Sequence, residues 1–300
     1  VKKHFNSFTF GNELKPESLL DQTKTAASGS ETNVVVSLKG AEKLFDYARA
    51  NKLPVRGHTL VWHSQTPFWF FTEDYTAEGK VVDKATMLKR MENYIKGVFE
   101  ALEAEYSDVN FYAWDVVNEA FSEGGGPREP GKYEDGNGSS PWVKVFGDNS
   151  FIEPAFEYAR KYAPEGTKLY YNDYNEYISS KQDGIIKLAT SLKAKGLIDG
   201  IGLQSHLNVT NNHTSDPFPT AGQYEIALKK YAELGLDLQV TELDCTYDDD
   251  VANGEKLQAK YQKGVEGIVK RKWIAIAAVV IGIAVMGIEA MVTKTGLVPD

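Results

Sequence analysis

The sequence predicts a (β/α)8 barrel of the α/β class, built as one catalytic domain over residues 1–300. Two observations carry that expectation. From Phe8 to Gly202, strand-like and helix-like stretches alternate with short loops, the pattern of a parallel sheet with helical crossovers. Two short apolar stretches, YAWDVVNEAF (Tyr112–Phe121) and LQVTELD (Leu238–Asp244), each run into a carboxylate, Glu119 and Glu242. Barrels deliver their reactive groups at the C-terminal ends of strands in this way. No stretch of about 20–50 residues repeats, so the eightfold unit is one of structure alone.

In chain order, Phe8-Thr-Phe10 reads as a short strand leading into Gly11–Lys15, after which Pro16 starts a turn or helix. Ser37–Ala50 carries Leu38, Ala41, Leu44, Phe45 and Ala48 at helical spacing, after the β-branched run Val34–Val36. Val55–Trp62 is a strand. Lys84–Glu105 is a long amphipathic helix with Met87, Met91, Ile95, Val98, Phe99 and Leu102 on one stripe. Phe111–Val117 is the strand that brings Glu119, and Ser122–Pro141, rich in Gly, Pro and acid, is a long loop. Beyond it come a helix at Phe151–Tyr162, a strand at Lys168–Tyr171 and a helix at Lys181–Lys195 closed by Gly196. A strand at Ile201–Leu203, a helix at Ala221–Leu234, the Glu242 strand at Asp237–Thr241 and a helix at Glu255–Lys270 complete the readable part.

The two ends fit less well. An eight-stranded barrel needs a strand before Phe8, where only seven residues stand. The stretch Trp273–Val292 is nearly all Ala, Ile, Val and Gly, as long as a membrane span and preceded by Lys270-Arg-Lys272. A buried last strand at Ile274–Ile281 followed by a helix is the favoured reading, since the preceding helix otherwise lacks its strand and Glu289 would sit in lipid. A membrane contact is therefore not expected.

A net charge of −9 argues against nucleic acid, whose phosphates call for an excess of Lys and Arg. An apolar share of 42% with 25% charged residues is enough to build a core. Sixteen Tyr, fourteen Phe and five Trp suit core packing and also the faces of sugars. The lone Cys245 can form no internal disulfide and reads as a packed side chain. No signal peptide opens the chain, so export is expected only of a mature form. Sequons at Asn137, Asn208 and Asn212 decide nothing. The run Asp248–Asp250 reads as a solvated loop rather than a metal site, so neither metal nor cofactor is expected.

Two carboxylates with neither metal nor cofactor suit glycoside hydrolysis. A retaining enzyme holds them about 5–5.5 Å apart, one attacking the anomeric carbon and one protonating the departing oxygen. Asn118, beside Glu119, offers an amide to a sugar hydroxyl, and His206, one strand before Glu242, offers that carboxylate a donor. A loop Glu is ordinarily a solvated surface group; Glu119 and Glu242 differ in following apolar strands. His58, Trp62 and Trp114, inside strands, read as structural, while Trp69 after Pro67 is the better sugar platform. Asp115 and Asp244 read as supports for their neighbours.

Six motifs in order, GNELKP, RGHTLVWHSQTPFW, WDVVNEAF, LYYNDYN, GIGLQSHL and VTELD, resemble the strand ends of family ten glycoside hydrolases, the endo-β-1,4-xylanases. A bare Asn-Glu pair is common to many barrel glycosidases; six motifs in register between about residues 5 and 247 are specific. The resemblance implies endo-acting hydrolysis of xylan with retention, with Glu119 as acid/base, Glu242 as nucleophile and His206 orienting Glu242. It implies Asn118 on the 2-hydroxyl of the attacked sugar, Asn12, Lys15, His63, Trp69 and Gln204 along the glycone side, and Tyr171 and Asn172 toward the aglycone side. Xylan and xylo-oligosaccharides would be its partners, and their size implies an extracellular place of action. The chain departs from the family pattern in lacking a first strand and a tryptophan-bearing last strand, there being no Trp after Trp273. A β-glucanase on the same barrel, and a sugar-binding barrel without catalysis, are the rival expectations.

Overall fold

The computed structural model describes residues 5–136, 138–210, 217–248, 251–271 and 275–276. Its main sheet is parallel throughout and holds β1 (Phe8–Thr9), β2 (Val55–Trp62), β3 (Phe111–Asn118), β4 (Lys168–Asp173), β5 (Gly200–Leu203), β7 (Asp237–Val240) and β9 (Ala275–Ile276), side by side in that order. The two remaining strands, β6 (His206–Asn208) and β8 (Asp244–Thr246), form a separate parallel pair with His206 opposite Asp244. Helices α1 (Pro16–Leu19), α2 (Gln22–Ala27) and α3 (Glu42–Asn51) lie between the first two strands, and α4 (Lys84–Tyr106) links β2 to β3. Later crossovers are α5 (Pro141–Phe146) with α6 (Ile152–Tyr162), then α7 (Ser179–Ala194), α8 (Ala221–Ala232) and α9 (Gly254–Arg271).

The strands are buried because helices cover the sheet: every residue of β2 but Trp62, and of β3 but Tyr112, is buried. Burial therefore extends to the polar Arg56, His58, Thr59 and Asp115 as well as to their apolar neighbours. Helix α4 begins where Asp83 accepts the Thr86 backbone N–H at 2.7 Å, and it buries the stripe Met87, Met91, Ile95, Val98, Phe99 and Leu102. Trp114 sits so close to Gly57 that a Cβ there would fall 2.2 Å from the indole. Only glycine lets β2 and β3 pair with that ring between them.

Polar side chains fill the interior of the sheet, and they show that it curls. Arg56 of β2 donates to Gln239 of β7 at 2.6 Å, although three strands stand between them. A flat sheet would hold those strands well apart, since neighbours are spaced about 4.8 Å. Arg56 also pairs with Asp115 of β3, which accepts from His58 Nδ1 at 2.9 Å, and it stacks on Tyr170 of β4 at 4.3 Å. Burial pushes the Asp115 carboxyl up, but Arg56 and His58 outweigh it and hold the group below its ordinary range. The architecture is thus that of the (β/α)8 barrel class. Asp115→Ala would strand a buried guanidinium, and an isothermal denaturant titration is expected to show a loss of about 3–5 kcal/mol. A loss under about 1 kcal/mol would mean that Gln239 and Tyr170 suffice for Arg56.

Some boundaries differ from the sequence reading. Helix α3 starts at Glu42 rather than Ser37, because the chain turns at Lys39–Ala41, where Gly40 suits a turn better than a helix interior. Val36 makes only an isolated antiparallel bridge to Leu20. The 122–141 stretch is not wholly irregular: Tyr133–Asp135 is a 3-10 turn, and Ser140 caps α5 by accepting from Val143. Of the expected last strand, Ala275 and Ile276 pair in parallel with Gln239 and Val240. The rest of 273–292, the sequon residues Asn137 and Asn212, and positions 249–250 lie outside the described residues. Among the described residues no helix is long and apolar enough to cross a membrane.

Candidate active site

Both glutamates sit at the C-terminal edge of the sheet, Glu119 just after β3 and Glu242 two residues after β7. Side chains from the strand ends between them join the two carboxylates in one chain of hydrogen bonds. Gln204, just after β5, donates through Nε2 to Glu119 Oε1 at 2.8 Å and to Asn118 Oδ1 at 3.2 Å. Asn172, on β4, donates through Nδ2 to Asn118 Oδ1 at 2.9 Å and to Glu242 Oε1 at 3.0 Å. Thr241 Oγ1 donates to Asn172 Oδ1 at 2.7 Å, which fixes which way that amide faces. Gly202 leaves room for it: a Cβ there would lie 2.2 Å from Asn172 Oδ1.

Glu119 is held by its backbone as well as its side chain. Its φ of 54° lies in the left-handed region, which costs an ordinary residue about 1–3 kcal/mol unless its surroundings enforce it. Here the Glu119 N–H donates to Asn172 O at 2.9 Å, and Arg128 Nε donates to Glu119 O at 2.5 Å. The next N–H, that of Ala120, donates to the Tyr171 hydroxyl at 3.0 Å. The carboxylate accepts from the Trp62 indole at 2.8 Å, from Gln204, and from Asn118 Nδ2 at 3.2 Å.

The surroundings of Glu242 favour its charged form. Burial pushes its carboxyl up, but contact with His206, the nearby His58 and the Asn172 amide together hold it below the ordinary value. His206 Nε2 stands 3.4 Å from Glu242 Oε2, and Nδ1 is 2.7 Å from Asp244 Oδ2, a pairing set by the β6–β8 register. Burial pulls the His206 imidazole down, yet the two carboxylates outweigh it and raise it to about 10. At neutral pH it is a cation beside Glu242.

Lys15 faces both acids. Its ammonium lies 5.0 Å from the centre of the Trp62 ring and donates to Asn12 Oδ1 at 2.9 Å and Gln65 Oε1 at 2.8 Å. Burial lowers its pKa against the pull of Glu242 and Glu119. Glu119 also lines a cavity of about 480 Å³, together with Trp62, His63, Arg128, Tyr133 and Tyr174 among others. Burial, with Arg128 and Lys181 nearby, pulls the His63 imidazole down to about 3, so it is neutral.

The structure thus brings Asn12, Lys15, Asn118, Asn172, Gln204 and His206 together with Glu119 and Glu242. Three expected sugar contacts are placed differently. His63 lines the Arg128–Tyr174 cavity instead of the Asn12–Lys15 group. Trp69 packs edge-on against Tyr75 at 6.1 Å and Phe70 at 6.3 Å, on the 3-10 turn Phe68–Phe71. Tyr171 is fully buried, with its hydroxyl donating to Asp173 and accepting from Ala120, so it stands behind Glu119 and cannot meet a sugar. Conversely, Trp62, read as packing, donates to Glu119, and Tyr174 and Arg128, which the sequence did not single out, line the cavity. The strand-terminal position of Trp62 and the place of Tyr174 in the polar exit of β4 were the available signals. Among the described residues no cluster of His, Cys, Asp and Glu has the arrangement of a metal site.

Comparison with known proteins adds to this geometry. Residues 1–289 match the model of glycosyl hydrolase family 10. The chain is 45% identical over 269 residues to endo-1,4-beta-xylanase Y of Acetivibrio thermocellus, covering 87% of this chain and 24% of that protein. It is 48% identical over 247 residues to the bifunctional endo-1,4-beta-xylanase XylA of Ruminococcus flavefaciens, covering 82% and 24%. Among solved structures, endo-1,4-beta-D-xylanase 10B of Clostridium thermocellum, in complex with xylohexaose, superposes with a TM-score of 0.82 at 43% identity, over 93% of this chain and 54% of that one. The intracellular xylanase of Thermoanaerobacterium saccharolyticum gives 0.74 at 32%, over 93% and 78%. The chain spans about a quarter of the length of the two curated relatives.

Proposed function

This chain belongs to glycosyl hydrolase family 10, and from that premise we propose that it cleaves internal β-1,4-xylosidic bonds of xylan and xylo-oligosaccharides with retention of configuration. The observation that carries the reading is the pair of strand-end carboxylates tied together by Gln204, Asn118 and Asn172, with one member, Glu242, kept ionised. An ionised carboxylate beside a fixed cation is a nucleophile, so Glu242 attacks the anomeric carbon. Glu119 then gives its proton to the departing oxygen. In the second half it takes a proton from the water that releases the sugar.

Lys15 and Asn12 stand ready for hydroxyls of the glycone sugar, and the Arg128–Tyr174 cavity accepts the aglycone. The residue that spans the two sides is Trp62, with Lys15 over its ring and Glu119 on its indole nitrogen.

Initial rates of reducing-end release on xylan and on carboxymethyl-cellulose test this reading, together with the anomer first seen by proton NMR. Rapid xylan cleavage giving the β-anomer is expected. Faster cleavage of the cellulose derivative would move the substrate to β-glucan, and retention of xylan without any release would make the chain a sugar-binding barrel.

A further inference from the structure

One buried acid, hydrogen-bonded to Ser205 between Gln204 and His206, takes no part in the chemistry above. Glu176 lies in the segment between β4 and α7 and is 1% exposed. Its Oε1 accepts from Ser205 Oγ at 2.7 Å, its backbone oxygen accepts from the Tyr231 hydroxyl at 3.0 Å, and its Oε2 has no hydrogen-bond partner among the described residues. Burying a carboxyl with one oxygen unpaired costs stability.

What it holds is Ser205, itself fully buried and left-handed at a φ of 61°. Serine gains nothing from that conformation, so its neighbours must impose it. The Ser205 hydroxyl also lies 2.6 Å from the Tyr224 hydroxyl, so it is fastened from α8 and from the Glu176 segment at once. The two residues flanking Ser205 are Gln204, which donates to Glu119, and His206, which stands against Glu242. Consecutive residues of an extended strand point to opposite sides. The left-handed turn between them is where the chain leaves β5 and enters β6, and it sets the angle between those two donors.

We propose that Glu176 is a positioning residue for both carboxylates: by gripping Ser205 it fixes the turn that aims Gln204 at Glu119 and His206 at Glu242. Burial raises the Glu176 carboxyl to about 7, against the hydrogen bond from Ser205 and the charge of His206, so in slightly acidic solution it is neutral. Glutamine mimics that form. The titratable groups facing it are Asp173, Tyr177, His206, Tyr224, Tyr231 and Tyr261; those facing Glu242 are His206 and His58, with the Asn172 amide beside it and Lys15 opposite.

This inference rests on the xylanase reading, and its test keeps the two apart. Wild type, Glu176→Gln, Glu176→Leu and Ser205→Ala are compared for kcat, KM, the pH profile of kcat/KM on an aryl xylobioside, and thermal midpoint. Glu176→Leu is expected to lower kcat on the order of 10- to 100-fold with KM within about twofold, as a misaimed donor does. Its acid limb moves to higher pH, because Glu242 with a displaced His206 takes up a proton more readily. Ser205→Ala follows in the same direction, while Glu176→Gln keeps wild-type kcat and acid limb. A lower thermal midpoint in Glu176→Leu or Ser205→Ala, with kcat and acid limb unchanged, overturns the positioning role. Should Glu176→Leu not fold, an unmoved acid limb in Ser205→Ala overturns it equally. An inactive wild type would instead count against the xylanase reading.

Discussion

Glu242→Ala is expected to lose turnover on xylan and on aryl xylosides on the order of 10⁵-fold or more, the scale seen when a covalent nucleophile is removed. The loss should come with a native circular-dichroism spectrum. Glu242 lies beyond the last residue of β7, and the partners it would leave, the Asn172 amide and the His206 imidazolium, keep Thr241 and Asp244 respectively. Removing the side chain opens space on the face where it would attack. Sodium azide is small and anionic, and His206 keeps that spot positive, so azide is expected to restore cleavage of substrates with activated leaving groups. Because azide then displaces the leaving group once, the product is the glycosyl azide of inverted configuration. Rescue giving the retained azide would place the nucleophile elsewhere and end the assignment. In the proposed mechanism the same carboxylate sets the acid limb of the wild-type pH profile. It must be ionised to attack, and the His206, His58 and Asn172 contacts hold it below the ordinary glutamate value. Activity is therefore lost only as the pH falls through that lowered value, and His206→Ala should move the loss to higher pH.

Much of the scaffold was legible because its segments obey one dominant force. β3 is mostly apolar, β2 closes on the apolar run Leu60–Trp62, and α4 has a single apolar stripe, so each formed within a residue or so of its expected limits. Where two forces compete the reading slipped. Leu38 and Ala41 belong to the helical pattern of α3, but Gly40 sits between them and delays the helix to Glu42. The carboxylates were visible because an acid directly after an apolar run has no structural excuse.

Their supports were harder to see. Trp62 has the composition of packing, and only its place as the last residue of β2 turns the indole toward Glu119. Tyr171 and Tyr174 stand three residues apart in one motif, yet the pleat buries the first and the following turn carries the second into the cavity. Pairs such as Arg56 with Gln239, or Glu176 with Ser205, depend on register and curl across distant strands, which no local pattern encodes.

Glu119→Ala is expected to separate substrates by their leaving groups. With xylan or an alkyl xyloside the departing alcohol is a poor leaving group and needs a proton as the bond breaks, so kcat/KM should fall about 10²–10⁴-fold. With a dinitrophenyl xylobioside the phenolate leaves unaided, and kcat/KM should stay within about tenfold of wild type. The second half of the reaction then becomes limiting, because no base remains to activate water. The glycosyl–Glu242 intermediate accumulates, both kcat and KM fall, and a burst of dinitrophenolate precedes the steady state. Azide needs no base, so it should speed the steady state and give the azide of retained configuration, opposite to the Glu242 variant. The geometry makes this contrast sharp. Trp62, Gln204 and Asn118 all donate to the Glu119 side chain, while its backbone is pinned by Asn172, Arg128 and the neighbouring Ala120–Tyr171 bond, so truncation removes the carboxyl without freeing the turn. Equal losses on alkyl and dinitrophenyl substrates, without a burst, would show that Glu119 does not carry the proton.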